Sequence, residues 1–146
     1  MAEASKTIEM QVTRDNLWKV ITDYEKYGEF VEGVQNVKIL SRTKNEVRIQ
    51  YGIELLGKEI FYVLDHFEDI PDTMSWKLVE SNILKANSGS WIIKDLGGGR
   101  SEVTYQLALD FKIYVPGIVL NGLVKSSLPK MLGSFEKRTK EVFANG

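Results

Sequence analysis

Asp23-Tyr24-Glu25-Lys26-Tyr27-Gly28-Glu29-Phe30 puts three aromatic residues on a short turn directly after an amphipathic helix, and its position organises the rest of the chain. Gly89-Ser90-Trp91 opens a later strand with a glycine and a tryptophan, and an apolar helix follows Pro116. The stretch between the turn and that helix reads as one strand after another. Strand, helix, short helix, consecutive strands and a long closing helix describe an α+β chain. Its curved sheet wraps around the C-terminal helix and leaves an apolar hollow between them.

Working outward from the turn, Ile8, Met10 and Val12 alternate with Thr7, Glu9 and Gln11, which predicts a half-buried strand over 7–12. Thr13 is placed to cap a helix, with Asp15 in its first turn, where a negative charge is favoured. Leu17, Val20, Ile21 and Tyr24 follow at helical spacing, and Gly28 and Gly33 bracket a second short helix. From Val37 the period drops to two. Val47, Ile49, Tyr51, Ile53 and Leu55 alternate with Glu46, Arg48, Gln50 and Glu54. A two-residue hairpin loop at Leu56-Gly57 then sets Ile53 opposite Ile60, Tyr51 opposite Tyr62, Ile49 opposite Leu64 and Val47 opposite His66. Met74, Trp76 and Leu78, then Trp91 and Ile93, then Val103, Tyr105, Leu107 and Leu109 continue the inner face, with a turn at Gly97-Gly98-Gly99. The pattern predicts seven strands, mostly consecutive and antiparallel.

Pro116 pre-sets a helix start, and Ile118, Leu120, Leu123, Val124, Leu128, Leu132 and Phe135 give that helix a broad apolar face. Pro129 removes a backbone hydrogen bond and clashes with the preceding turn, predicting a break near Ser126-Ser127. About 26 helical residues run roughly 39 Å, enough to cross the sheet.

Composition narrows the function classes. The 146 residues predict a single domain over 1–146, with 43% hydrophobic and 27% charged residues. A net charge of −1 gives no overall field to draw in DNA or an anionic membrane. The absence of cysteine removes disulfides, thiolate metal sites and cysteine nucleophiles. No secretory signal opens the chain and no apolar run approaches the ~20 residues of a membrane span. The expectation is a soluble, cytoplasmic protein without metal or cofactor, with room for transient membrane contact.

The strand–helix–short helix opening, the Asp23-Tyr24-x-x-Tyr27-x-x-Phe30 run, Gly89-Ser90-Trp91 and the proline-led terminal helix together resemble the START-like (SRPBCC, helix-grip) superfamily. Within it, the chain is most similar to the polyketide cyclase/dehydrase and coenzyme-Q-binding branch, over residues 6–138. The family usually has proline where this chain has Gly28, which loosens the turn. The resemblance implies a hollow that holds lipids, quinones, polyketides or hormones. Some relatives are cyclases, and one bacterial subgroup interferes with ribosome association.

Tyr51, Tyr62, Trp76, Trp91 and Tyr105, with Ile53, are the expected wall of that hollow. Buried tyrosines and tryptophans carry polar atoms that need partners, as a pocket supplies and a solid aliphatic core does not. Phe30 and the turn carrying Leu120, Leu123 and Val124 are the expected gate, because a helix broken at Pro129 can lift from the sheet. His66 is the sole histidine. It is expected near a strand end, half exposed and structural, with no carboxylate placed by the sequence to orient it. Asp65, Glu68, Asp69 and Asp72 read as solvated loop carboxylates around Pro71, and Asp23 as a residue pinning the aromatic turn. Gly52-Ile53-Glu54-Leu55-Leu56-Gly57-Lys58 nearly spells a phosphate-binding loop. It fails because Glu59 stands where Ser or Thr is needed and the segment is a hairpin. Phe61, Val63 and Phe67 point outward, which fits a partner surface and equally a twisted sheet, a covering loop or a slipped register.

The combined expectation is a binder of a hydrophobic small molecule such as an isoprenoid quinone, lipid or polyketide-like compound, which it carries or presents without a catalytic residue. One rival is an aromatase/cyclase using His66 or a tyrosine. The other is a ribosome-associated regulator using Lys125, Lys130, Lys137, Arg138 and Lys140, a basic face diluted by Glu136 and Glu141.

Overall fold

The computed structural model describes residues 2–55 and 57–144. β1 (Ala2–Met10) leads into α1 (Arg14–Ile21) and a 3-10 helix (Tyr24–Glu29). Six strands follow: β2 (Val34–Arg42), β3 (Glu46–Leu55), β4 (Lys58–Asp69), β5 (Thr73–Ser81), β6 (Leu84–Gly97) and β7 (Arg100–Phe111). The chain then runs through α2 (Gly117–Gly122), a π-helical segment (Leu123–Ser127) and α3 (Leu128–Val142). The described strands form one sheet in the order β1-β7-β6-β5-β4-β3-β2, every pair antiparallel. Consecutive strands pair through hairpins, and only β1 needs a distant partner, lying along β7 from Ala2 opposite Leu109 to Met10 opposite Ser101.

The predicted register of the β3–β4 hairpin holds at all four positions. Gly57 takes a φ of +73°, the left-handed conformation this turn requires; its companion Leu56 lies outside the described residues. Thr13 caps α1, its hydroxyl accepting from the Asn16 backbone N–H at 3.3 Å. Such a cap contributes about 1 kcal/mol. Below it, Leu17, Trp18, Val20 and Ile21 are buried.

Several boundaries differ from the expectation. β1 begins at residue 2 and ends at Met10, because the length of its partner β7 sets the ladder and local alternation does not. α1 stops at Ile21, so Tyr24 belongs to the 3-10 helix. Asp23 contributes its carbonyl to that turn, accepting from Lys26 N–H at 3.1 Å, while its side chain makes no cap. Pro129 sits in the first turn of α3, where its missing N–H costs nothing. The helix break takes the form of the π-helical residues 123–127 just before it. Val63, expected to face outward, is 2% exposed. A bulge between Val63 and Leu64 in the β4–β5 ladder twists that region, and Phe67 is covered by the Lys77 ammonium 5.4 Å from its ring.

The sheet curves over α3, which buries Leu128, Leu132, Phe135 and Thr139. α2 is different: among the described residues, none of its side chains is buried. No described helix is long and apolar enough to cross a membrane.

Candidate ligand-binding site

The hollow lies between the inner face of the sheet and α3 and has a volume of about 200 Å³. Tyr51, Ile53, Tyr62, Trp76, Trp91 and Tyr105 all line it, as the alternation placed them. Tyr27, His66 and Phe135 join them, and the seven rings of Tyr27, Tyr51, His66, Trp76, Tyr105, Trp91 and Phe135 close into a belt, each centroid 4.8–6.5 Å from the next. Most contacts are tilted or edge-on, the geometry aromatic quadrupoles favour. Ring faces and edges therefore stay available to whatever occupies the centre.

Gly89 explains part of this shape. It pairs opposite Trp76, and a Cβ built on it would lie 2.2 Å from the Gln106 carbonyl oxygen and 2.5 Å from the Trp76 ring. The glycine lets the Trp76 indole lie against the β6 backbone. From there its Nε1 donates to the Asn87 side-chain oxygen at 3.0 Å, a buried pair that also lines the hollow.

His66 departs from expectation. It is 4% exposed, because the 3-10 helix covers its end of the sheet and sets the Tyr24 ring 5.0 Å from the imidazole. Its Nε2 lies 2.8 Å from the Tyr51 hydroxyl, and its Nδ1 has no partner among the described residues. Burial pulls its pKa down to about 3, against a weaker opposite pull from the Asp65 charge. The imidazole is therefore neutral at physiological pH. Burial also raises the Tyr27, Tyr51, Tyr62 and Tyr105 hydroxyls above their ordinary value. No Asp, Glu, Lys or Arg lines the hollow among the described residues. It is an apolar, aromatic space with a few uncharged polar tips.

The expected gate is dispersed. Phe30 does not line the hollow; it packs edge-on against Phe135 with centroids 5.1 Å apart, and the Arg138 guanidinium covers it. Leu120 is half-buried on α2 and also outside the lining. The side chains of Leu123 and Val124 lie outside the described residues. From α3 it is Met131 and Phe135 that reach the hollow. Their spacing of four marked them as one helix face without marking them as a wall. Nothing in the sequence singled out Asn87.

Of the four carboxylates near Pro71, Asp69 and Asp72 are exposed as expected, whereas Asp65 and Glu68 are half-buried and tied into the scaffold. Asp65 accepts two bonds from Arg48, at 2.8 and 3.0 Å, and that guanidinium holds its carboxyl below the usual range. Glu68 accepts from the Tyr24 hydroxyl and from Arg42. On the terminal helix, Lys130 pairs with Glu32, Arg138 with Glu29 and Lys140 with Glu136, which neutralises much of its basic face.

A curved antiparallel sheet gripping a C-terminal helix across an aromatic hollow is the helix-grip arrangement of START-like proteins. The chain belongs to the polyketide cyclase/dehydrase and lipid transport family, whose sequence profile matches residues 10–136. Solved structures share the fold at low identity. A START superfamily protein from Mycobacterium smegmatis superposes with a TM-score of 0.85 at 17% identity, over 96% of this chain and 98% of that one. The Zhui aromatase/cyclase from Streptomyces sp. R1128 gives 0.86 at 14%, over 99% and 98%. A STAR-related lipid transfer protein from Xanthomonas axonopodis gives 0.76 at 13%, over 93% and 84%. No curated protein matches the chain significantly by sequence.

Proposed function

We propose that the protein binds a hydrophobic small molecule, such as an isoprenoid quinone, a lipid or a polyketide-like compound, in the hollow between sheet and α3. It carries or presents that molecule without transforming it. The observation behind this reading is the closed aromatic belt with no charged side chain in the described lining. Burying apolar ligand surface there supplies affinity at ~0.8 kcal/mol per methylene, while the few polar tips set orientation. The pKa values point the same way. A histidine held near 3 and tyrosines raised by burial are poorly matched to acid–base work near neutral pH. Native mass spectrometry of freshly purified protein, followed by organic extraction, is the direct test. A stoichiometric hydrophobic compound is the expected result. Protein that emerges empty and takes up none of a panel of quinones, lipids and aromatic polyketides would refute the proposal.

The Tyr51–His66 hydrogen bond supports a second reading, aromatase/cyclase activity. If Nε2 carries the imidazole proton and donates to Tyr51, the phenolic O–H is free to donate to a ligand carbonyl in the hollow. A cyclisation activity lost in His66→Ala, with the binding of a substrate analogue retained, would favour that reading over simple carriage.

A further inference from the structure

Asn87 on β6 is 7% exposed and lines the hollow. Simple chemistry fixes which way its amide faces. An indole N–H can only donate, so the atom 3.0 Å from Trp76 Nε1 is the Asn87 oxygen, and the NH2 end is turned from the indole. Gly89 holds the pair together, because its missing Cβ lets the indole lie close against β6. Asn87 Nδ2 has no hydrogen-bond partner among the described residues. Nor is it one of the enclosed side-chain atoms without a partner, which among those residues are Arg14 Nε and His66 Nδ1. It therefore keeps an open side, and the open space that Asn87 borders is the hollow. The tyrosine hydroxyls in the lining can donate or accept, so they tolerate either kind of ligand atom. An NH2 group whose amide oxygen is already taken offers a donor alone.

We infer that Asn87 is a specificity-determining residue of the hollow: its side-chain N–H donates to an uncharged acceptor, a carbonyl oxygen, on a ring held inside the aromatic belt. This rests on the binding reading above and names the ligand group that is read there. The acceptor is neutral because no charged side chain stands in the described lining, and a buried carboxylate would stay uncompensated. Trp76 keeps the donor turned to the ligand by occupying the amide oxygen. A hydrocarbon of the same shape leaves that N–H dry and unmatched. A wall built to hydrogen-bond its ligand discriminates in this way more strongly than an apolar wall can.

Acetophenone and isopropylbenzene test this, because they share size and shape and differ by a carbonyl oxygen in place of a methyl group. Calorimetric titration of both gives a ratio of dissociation constants, ketone over hydrocarbon, in which changes of hollow shape largely cancel. That ratio is expected to rise about tenfold from wild type to Asn87→Leu, where the ketone oxygen meets no donor. In the wild-type protein, the Asn87 side-chain NH2 resonances should move further downfield with acetophenone than with isopropylbenzene, a readout that needs no variant to fold. Equal ratios in the two proteins, or equal amide shifts with the two compounds, refute Asn87 as the reader while leaving the hollow a binding site. A ratio that changes in Tyr51→Phe and not in Asn87→Leu gives the role to Tyr51 and overturns the proposal. If neither compound binds the wild-type protein, the ring site fails and the proposal falls with the reading it rests on.

Discussion

Acidification should destabilise this protein through one side chain. His66 is the only histidine and is buried with its pKa pulled to about 3, against an ordinary value of 6.5. Between those values the unfolded chain binds a proton at this site that the folded chain refuses, so stability is fully present above pH ~6.5 and falls as pH falls below it. Each unit costs about 1.4 kcal/mol, and lowering the pH from about 7.5 to about 5 removes about 2 kcal/mol. That corresponds to roughly 4–8 °C in melting temperature for a chain of this size. Carboxylates and the α-amino group titrate mostly outside this window and alike in both proteins, so the comparison with a histidine variant isolates His66. Urea unfolding of wild type and His66→Gln at the two pH values is the assay. Glutamine stays neutral and can still hydrogen-bond Tyr51, so the variant should lose less than about 0.5 kcal/mol over the same interval. The groups around the imidazole are Tyr51, the Tyr24 ring, Trp76 and the Asp65 charge, and only Asp65 opposes the trend. An equal loss in both proteins would refute the buried, neutral imidazole as the origin.

Other expectations follow from single contacts. Gly89→Ala puts a methyl against the Gln106 carbonyl and the Trp76 ring, and should cost about 1–3 kcal/mol in chemical denaturation; unchanged stability would mean the strands do not approach so closely. Tyr51→Phe leaves His66 Nε2 without its partner and should cost about 1–3 kcal/mol, with part of the loss recovered in a Tyr51→Phe/His66→Leu double variant. A loss just as large in the double variant would show that packing, and not the orphaned nitrogen, is responsible. Amide exchange should be fastest within residues 116–130, where no side chain of α2 is fully buried and the π-helical turn interrupts the ladder, and slow over Leu132–Thr139. Equal protection along both segments would remove α2 as the moving part.

Local chemistry carried much of the fold in readable form. The period of two from Val47 and the Gly57 turn determined the β3–β4 register to the residue, since a slip of one would send the whole inner face to solvent. Thr13 and Pro129 marked a helix start and a helix break for reasons confined to a few bonds. The same alternation brought Tyr51, Tyr62, Trp76, Trp91 and Tyr105 to one face, because strand geometry alone aims them. What lies on top of that face is not a local matter. His66 is buried because residues forty positions earlier fold back over it, and Phe30 is drawn to Phe135 and Arg138 on a helix a hundred positions later. Asn87 matters because Gly89 lets the Trp76 indole close on β6. The sequence by itself determined which residues could share a face, since that depends on backbone period. Only tertiary packing decided which of those faces met, how much space remained between them, and which polar groups lost water as they closed.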